Sequence, residues 1–260
     1  MADAFDLSRS QLFGWNNPAK GARHVASPFE GSLVHDEGST YTSAPGALAF
    51  ENELAAISDA YHISPNPADY FFRPVPAIIS DIPNRNGIGF PLKSLTKWNA
   101  QQGRLAYMTW KGKPMYEEHG KYHQDPENPD ITKALGVIVD VSLRPLRGFG
   151  GNRLWKVMML AALDRTAKEK THTKDLVGMV ERQEVNTYSM GALVSAYTCS
   201  ICNSAIGRCT HVDEEDATFF QVQNGVIAHR LCWDIEGCEL SVVMDPAVGL
   251  AASDYVRLKY

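Results

Sequence analysis

The sequence has no long apolar run. No stretch approaches the roughly 18 consecutive apolar residues that a membrane-spanning helix needs, so no membrane span is expected. It also has no basic excess: 25 Lys and Arg stand against 30 Asp and Glu, for a net charge of −5. A nucleic-acid binder normally carries a basic face or stripe, so no nucleic-acid partner is expected. The first residues, "MADAFDLSRSQLFGWNNPAKGARH", lack a basic region followed by an apolar core. No signal peptide is read there, and the chain is expected to remain in a cytosol. Cysteine is sparse and odd in number, five in all, which implies no disulfide framework. No internal repeat is present.

What remains is an ordinary globular composition. The chain has 260 residues, of which 44% are hydrophobic and 10% aromatic. That supports one large domain or two small ones. Residues 1–48 are rich in Gly, Ser, Ala and Pro without sustained periodicity, and read as a mobile arm before a domain over 49–260. Leu54, Ile57 and Tyr61 recur at helical spacing, predicting a helix over Glu51–His62. "YFFRPVPAIIS" reads as a strand whose prolines favour an edge position. "PLKSLTKWNAQQG" reads as a second helix, with Pro91 in its first turn and Gly103 at its end. "RLAYMTW", "ALGVIVDVSLRPL", "VNTYSMGALVSAYT" and "CELSVVMDPAV" read as strands; "LWKVMMLAALD" fits helix or strand by pattern alone and is read as a strand. "HTKDLVGMVERQE" reads as a helix, and "ATFFQVQNGVIAHRLCW" as a hairpin around Asn224-Gly225. Many strands with few helices predict an α+β fold, with a small closed or nearly closed β-barrel wrapped by helices.

Three of the five cysteines fall in one loop. Cys199-x2-Cys202 is the spacing of a tight turn that presents two thiolates to one metal, and Cys209 and His211 follow. These four residues supply the ligand types of a tetrahedral zinc site, and four protein ligands leave no open position for catalytic water. Structural zinc is therefore the expected cofactor. His229, Cys232 or Cys238 could replace His211 as the fourth ligand.

Just upstream, "YSMGA" places Ser189 before Met190 and Gly191. A nucleophilic serine needs a base and backbone N–H groups aimed at the developing oxyanion. Ser-x-Gly turns are common, so the local pattern alone does not single this serine out. The base must be a histidine from elsewhere. "GKPMYEEHGKYH" puts His119 where a strand gives way to a polar loop, with His123 as its rival.

Taken together, "DIPNRNG", "YMTWKGKPMYEEH", "LGVIVDVSL", "LDRT", "YSMGALV…CSIC…C.H" and "CELSVVMDPA" resemble, in order, segments of the prohead (procapsid) maturation proteases of large tailed bacteriophages. Those enzymes share a fold with the herpesvirus assemblins. The resemblance spans roughly residues 70–255. It implies a serine endopeptidase on an assemblin-like barrel, with Ser189 as nucleophile and His119 as general base. It implies action inside the assembling procapsid in the host cytoplasm, on scaffold or core proteins and capsid-protein propeptides. Cleavage is typically after glutamate and often includes the enzyme itself, for which Glu51 in "ALAFENEL" is the suggested site. Self-association is compatible with it. Assemblins use a second histidine on a strand after the serine; the matching position here is Glu239, with Asp140 and Asp164 as rivals for orienting the imidazole. Arg147, Arg153 and Arg165 are the basic residues available to read a substrate glutamate. The cysteine loop departs from the assemblins and reads as a brace on the exit of the serine strand. Two other classes compete: a non-enzymatic zinc-knuckle adaptor, and a capsid-associated structural protein without catalysis.

Overall fold

A computed structural model describes residues 45–120, 130–146, 154–212, 222–223 and 225–244, with side chains from residue 53 onward. In chain order the elements begin with α1 (Pro45–Tyr61), β1 (Tyr70–Ile79), β2 (Ile88–Gly89) and α2 (Leu92–Leu95). Then come β3 (Trp98–Asn99), β4 (Arg104–Leu105), β5 (Pro114–Glu117), β6 (Gly136–Leu146) and β7 (Leu154–Asp164). The chain continues through α3 (Leu176–Glu181), β8 (Tyr188–Cys199), β9 (Val222–Gln223), β10 (Val226–Ile227) and β11 (Arg230–Val242). The result is an α+β fold with a mostly β-sheet core and few helices.

One seven-stranded sheet organises the chain. β1, β7 and β6 run as antiparallel neighbours, and β6 hands over to β5. The long strand β11 has two different edges. One pairs antiparallel with β8 along almost its whole length; the other pairs parallel with β2 near Arg230 and with β5 near Ser241. β1 and β8, the outer strands, come near each other. No ladder joins them among the described residues, so the expected closed barrel is not found. Pro74 and Pro76 sit on β1, which pairs only with β7, and an edge strand can accommodate their missing N–H groups.

Strand alternation sorts side chains into two cores. Along β8, Tyr188, Ala192 and Val194 enter the larger core with Val75, Met115, Ile138, Met159 and Leu240. Leu193 points the other way, toward a second core in which Leu54, Ile57 and Tyr61 of α1 cover Tyr116, Val137, Ala162 and Cys238. The residues predicted to form the first helix thus use the apolar stripe that predicted it. The helix begins at Pro45, ahead of the expected Glu51, and so takes in residues 45–48 of the segment read as an arm. Glu51 lies inside α1. A protease takes an extended peptide, so Glu51 is a poor cleavage point. The rest of the proposed arm lies outside the described residues.

Four sequence expectations are met only in part. "PLKSLTKWNAQQG" is helical only over α2, after which β3 turns back onto β4; Asn99 Oδ1 accepts the Gln102 N–H at 3.0 Å, and Gly103 supplies a φ of +62°. "RLAYMTW" is a strand only at β4, then a 3-10 turn over Ala106–Trp110 that swings Trp110 into the core. The predicted helix in "HTKDLVGMVERQE" is confined to α3. "CELSVV" is the second half of β11 rather than a separate strand. The predicted hairpin is present as β9 and β10, with Gly225 at φ +76°.

Candidate active site and metal cluster

The polar cluster that contains His119 is assembled where β5, β8 and β11 lie side by side. In the β8–β11 register Ser189 faces Ser241 and Gly191 faces Glu239. Directly opposed residues share a face, and so do residues two apart along a strand. Ser189, Gly191, Glu239 and Ser241 therefore stand on one face, the one that α1 covers further along. A register shift between Gly237 and Glu239 gives β11 this phase at its C-terminal end.

His119 reaches this face from the turn after β5. Glu118 and His119 both take left-handed backbone conformations, with φ of 51° and 56°. Such values are uncommon for residues with a Cβ, and the surroundings hold them in place. Glu117, itself buried, accepts the backbone N–H groups of His172 and Thr173 at 2.5 and 2.9 Å. The Glu118 carboxylate accepts the Met244 N–H at 2.9 Å. The chain is thus tied down on both sides of the histidine.

The decisive contact joins His119 to Glu239. Nδ1 lies 2.7 Å from Oε1, with the imidazole 24% exposed and the carboxylate fully buried. The Ser241 hydroxyl, also fully buried, donates to the other oxygen, Oε2. A Cβ at position 191 would stand 2.5 Å from Glu239 Oε1, so glycine makes the room in which the carboxylate lies. A second glycine has the same duty beneath it: a Cβ at 237 would strike the Trp110 indole at 2.4 Å. That indole donates from Nε1 to the Gly191 carbonyl at 2.9 Å.

Burial by itself would depress the His119 pKa. The Glu239 charge and hydrogen bond, with the Glu118 charge behind them, outweigh it and hold the pKa above the ordinary 6.5. A carboxylate on Nδ1 sets the ring's orientation and tautomer, the condition under which Nε2 of an imidazole can exchange a proton with a reacting group. The half-buried Ser189 on the same sheet face, the imidazole and the buried carboxylate are the residue types that a nucleophile–base–orienter set requires.

The rival carboxylates lie elsewhere. Asp140 sits on β6 in the electrostatic surroundings of Lys111 and Tyr107. Asp164 accepts the backbone N–H groups of Ser64 and Thr166, both at 2.8 Å, a capping role. Arg165 is committed to Glu181 at 2.7 Å and to the Tyr70 carbonyl at 2.7 Å. His123, Arg147 and Arg153 fall outside the described residues. Ser241 and Trp110 are not among the site residues expected from the sequence. The alternation in Glu239-x-Ser241 was the available signal for the serine; nothing in the sequence points to the tryptophan.

The cysteine cluster forms at the other end of β8. One ligand atom from each of Cys199, Cys202, Cys209 and His211 lies within 4.8 Å of all the others. The Cys202–Cys209 sulfurs and the Cys209 Sγ–His211 Nδ1 pair are each 3.5 Å apart. Zn–S bonds of about 2.3 Å at a tetrahedral angle would put sulfurs about 3.8 Å apart, so the donor set fits such an ion. Ile201 N–H and His211 N–H donate to Cys199 and Cys209 sulfur at 3.3 and 3.2 Å. Hydrogen bonds from Ser204 and His211 bring the Cys202 thiol down to about 6, while burial pushes the Cys209 thiol up, so the thiolate a metal requires is favoured at Cys202 and not at Cys209. This Cys3His cluster can hold a metal such as zinc. Of the alternative ligands, His229 Nδ1 lies against the Ile227 carbonyl, while Cys232 and Cys238 belong to the two larger cores.

No family model matches the chain, and neither does any curated protein or solved structure. No helix among the described residues is long and apolar enough to cross a membrane.

Proposed function

We propose that the protein is a serine endopeptidase of the prohead-maturation type, with Ser189 as nucleophile, His119 as general base and Glu239 as the orienting carboxylate. The observation that carries this reading is the 2.7 Å contact between His119 Nδ1 and Glu239 Oε1, on the sheet face that also bears Ser189. Three segments marked out by the motif resemblance meet there, although His119 and Glu239 are 120 residues apart in sequence. The approach of β1 to β8 supports an assemblin-like curl in the sheet.

In the proposed reaction His119 Nε2 takes the Ser189 hydroxyl proton as Oγ attacks the scissile carbonyl. Backbone N–H groups around Met190 and Gly191 stabilise the tetrahedral oxyanion. The C–N bond breaks, and His119 gives its proton to the departing amine. Water then attacks the acyl-enzyme with the same histidine as base, restoring Ser189. Glu239, in contact with Nδ1, favours the imidazolium at each step. Substrates are scaffold or core proteins and capsid-protein propeptides within the procapsid. Zinc at Cys199, Cys202, Cys209 and His211 is structural and holds the loop that leaves β8.

Co-expression with the capsid and scaffold proteins of the same phage tests the reading. Wild type should shorten them and Ser189→Ala should not; continued processing by the alanine variant removes Ser189 as nucleophile. A metal-bearing adaptor is the second reading, favoured by the cysteine cluster alone. It is preferred if a fluorophosphonate fails to label Ser189 in assembled procapsids that nonetheless retain the protein.

A further inference from the structure

We propose that Ser241 is a positioning residue, whose hydroxyl holds Glu239 Oε2 so that Oε1 faces His119 Nδ1. The inference rests on the endopeptidase reading for its catalytic meaning, but its geometry stands apart from it.

A carboxylate on a flexible side chain has two equivalent oxygens and several rotamers. It orients an imidazole only when one rotamer is enforced. Here two constraints select it. Gly191 leaves just enough room for Oε1 on the β8 side, where a Cβ would stand 2.5 Å away. On the other side Ser241 donates to Oε2 from two residues along the same strand. Both Glu239 and Ser241 are fully buried, so bulk solvent does not reach either partner. A buried carboxylate needs donors for its remaining lone pairs, and a serine hydroxyl can rotate to supply one. Ser241 also lies directly across the ladder from Ser189. The strand pair that presents the nucleophile therefore also fixes the orienter of its base. Ser241 itself accepts no substrate proton and touches no reacting atom in this scheme.

The test uses the purified full-length chain and three variants, Ser241→Ala, Ser241→Cys and Ser189→Ala. Cysteine fills nearly the serine volume but is a weak donor, which separates hydrogen bonding from packing. The first readout is the His119 pKa, from side-chain nitrogen NMR. The second is the pH profile of the rate at which a fluorophosphonate labels Ser189.

Both Ser241 variants should release Glu239 from its fixed rotamer. The His119 pKa should then fall toward its ordinary value, and labelling should slow by about ten-fold. Ser189→Ala should leave the His119 pairing in place. A His119 pKa that stays the same or rises in both Ser241 variants overturns the positioning role. So does a Ser241→Cys protein that matches wild type while only Ser241→Ala falls, because that pattern reports volume. Failure of the endopeptidase reading looks different: the wild type resists the probe, while the His119 pKa still responds to Ser241 and upholds the positioning geometry.

Discussion

β8 and β11 carry two clusters at opposite ends of one ladder, and the two are built differently. Ser189 and Cys199 are ten residues apart on β8, which is about 34 Å along an extended strand. At the Ser189 end, the participants come from residues 119, 189–191 and 239–241 and meet only because the register brings them together. At the Cys199 end all four ligands come from 13 consecutive residues, folded back by a turn in which Cys199 N–H bonds the Ser204 carbonyl at 2.9 Å. A one-residue slip of β11 against β8 would turn Glu239 and Ser241 to the wrong face. The same slip would leave the internal geometry of the cysteine loop intact. The first cluster depends on the sheet register; the second depends on its own turn and on whatever metal it holds.

The sharpest way to probe the register-built end is to remove its charge. Glu239→Gln keeps the volume but loses the carboxylate, and an amide can favour the wrong imidazole tautomer. The expected loss in processing or in Ser189 labelling is about 10³-fold or more. The pH behaviour should move with it. Because the folded pKa of His119 is raised, its charged pair with Glu239 adds stability below the unfolded value near 6.5, and that stability is lost as pH rises through the raised pKa. Catalysis needs the neutral ring, so activity should climb over that same interval, on the alkaline side of 6.5. In Glu239→Gln the limb should shift to lower pH. A limb that stays where it was would mean that another group governs it.

Gly191→Ala should come next. The new Cβ would contact Glu239 Oε1 at 2.5 Å and Cδ at 3.1 Å, and the buried carboxylate has little room to retreat. We expect activity to fall by about 10²-fold and stability by about 1–3 kcal/mol, the range of an overpacked core. Labelling rates and denaturant unfolding measure the two effects separately. An active Gly191→Ala protein would show that Glu239 can reach His119 from another rotamer.

These two residues show what the sequence made legible. The cysteine spacing was readable because ligands within a single turn leave their mark on neighbouring positions. The strands β1, β6 and β8 were readable from apolar runs and their bounding turns, whereas the apolar run of β7 fitted helix or strand equally. Glu239 was legible only as one of three carboxylates through a motif resemblance, because which strand lies beside which is a property of long-range pairing. The need for glycine at 191 was invisible for the same reason: the atom that forbids a Cβ belongs to a residue on another strand. Trp110 was misread as part of a strand because its partner, the Gly191 carbonyl, lies 81 positions away. No local pattern announces that a 3-10 turn must carry the indole inward.

Trp110→Phe tests that support. It deletes the donor to a buried carbonyl and trims a fully buried ring that packs over Gly237. An unsatisfied buried acceptor costs about 1–3 kcal/mol, with some further loss from the smaller ring. Activity should drop by less than about ten-fold at temperatures where the variant stays folded, since no reacting group is removed. A much larger loss, with an unchanged unfolding midpoint, would assign Trp110 to the placement of the Met190–Gly191 backbone at the oxyanion.

Stripping the metal, or changing Cys202 to Ser, should disturb chemistry least. Cys202 is exposed, whereas Cys199 anchors the loop to a small core with Val212 and Ala228. The loop is strapped to β11 through Ser200 N–H to the His229 carbonyl and to β8 through Ile206 N–H to the Tyr197 carbonyl, at 2.9 and 3.2 Å. Losing the ion should therefore free the loop and fray the Cys199–Arg230 end of the ladder, lowering the unfolding midpoint by several degrees. The Ser189 end has β5 on the far side of β11 and the Glu117 and Glu118 tethers around His119. Labelling of Ser189 well below the midpoint should stay within about two-fold of wild type, because local opening of one end need not reach the other. Metal content by elemental analysis should read about one zinc per chain before chelation, the capacity of a single four-ligand site. If labelling collapses with the metal while the sheet stays folded, the ladder transmits strain along its length. The two ends would then form one site rather than two.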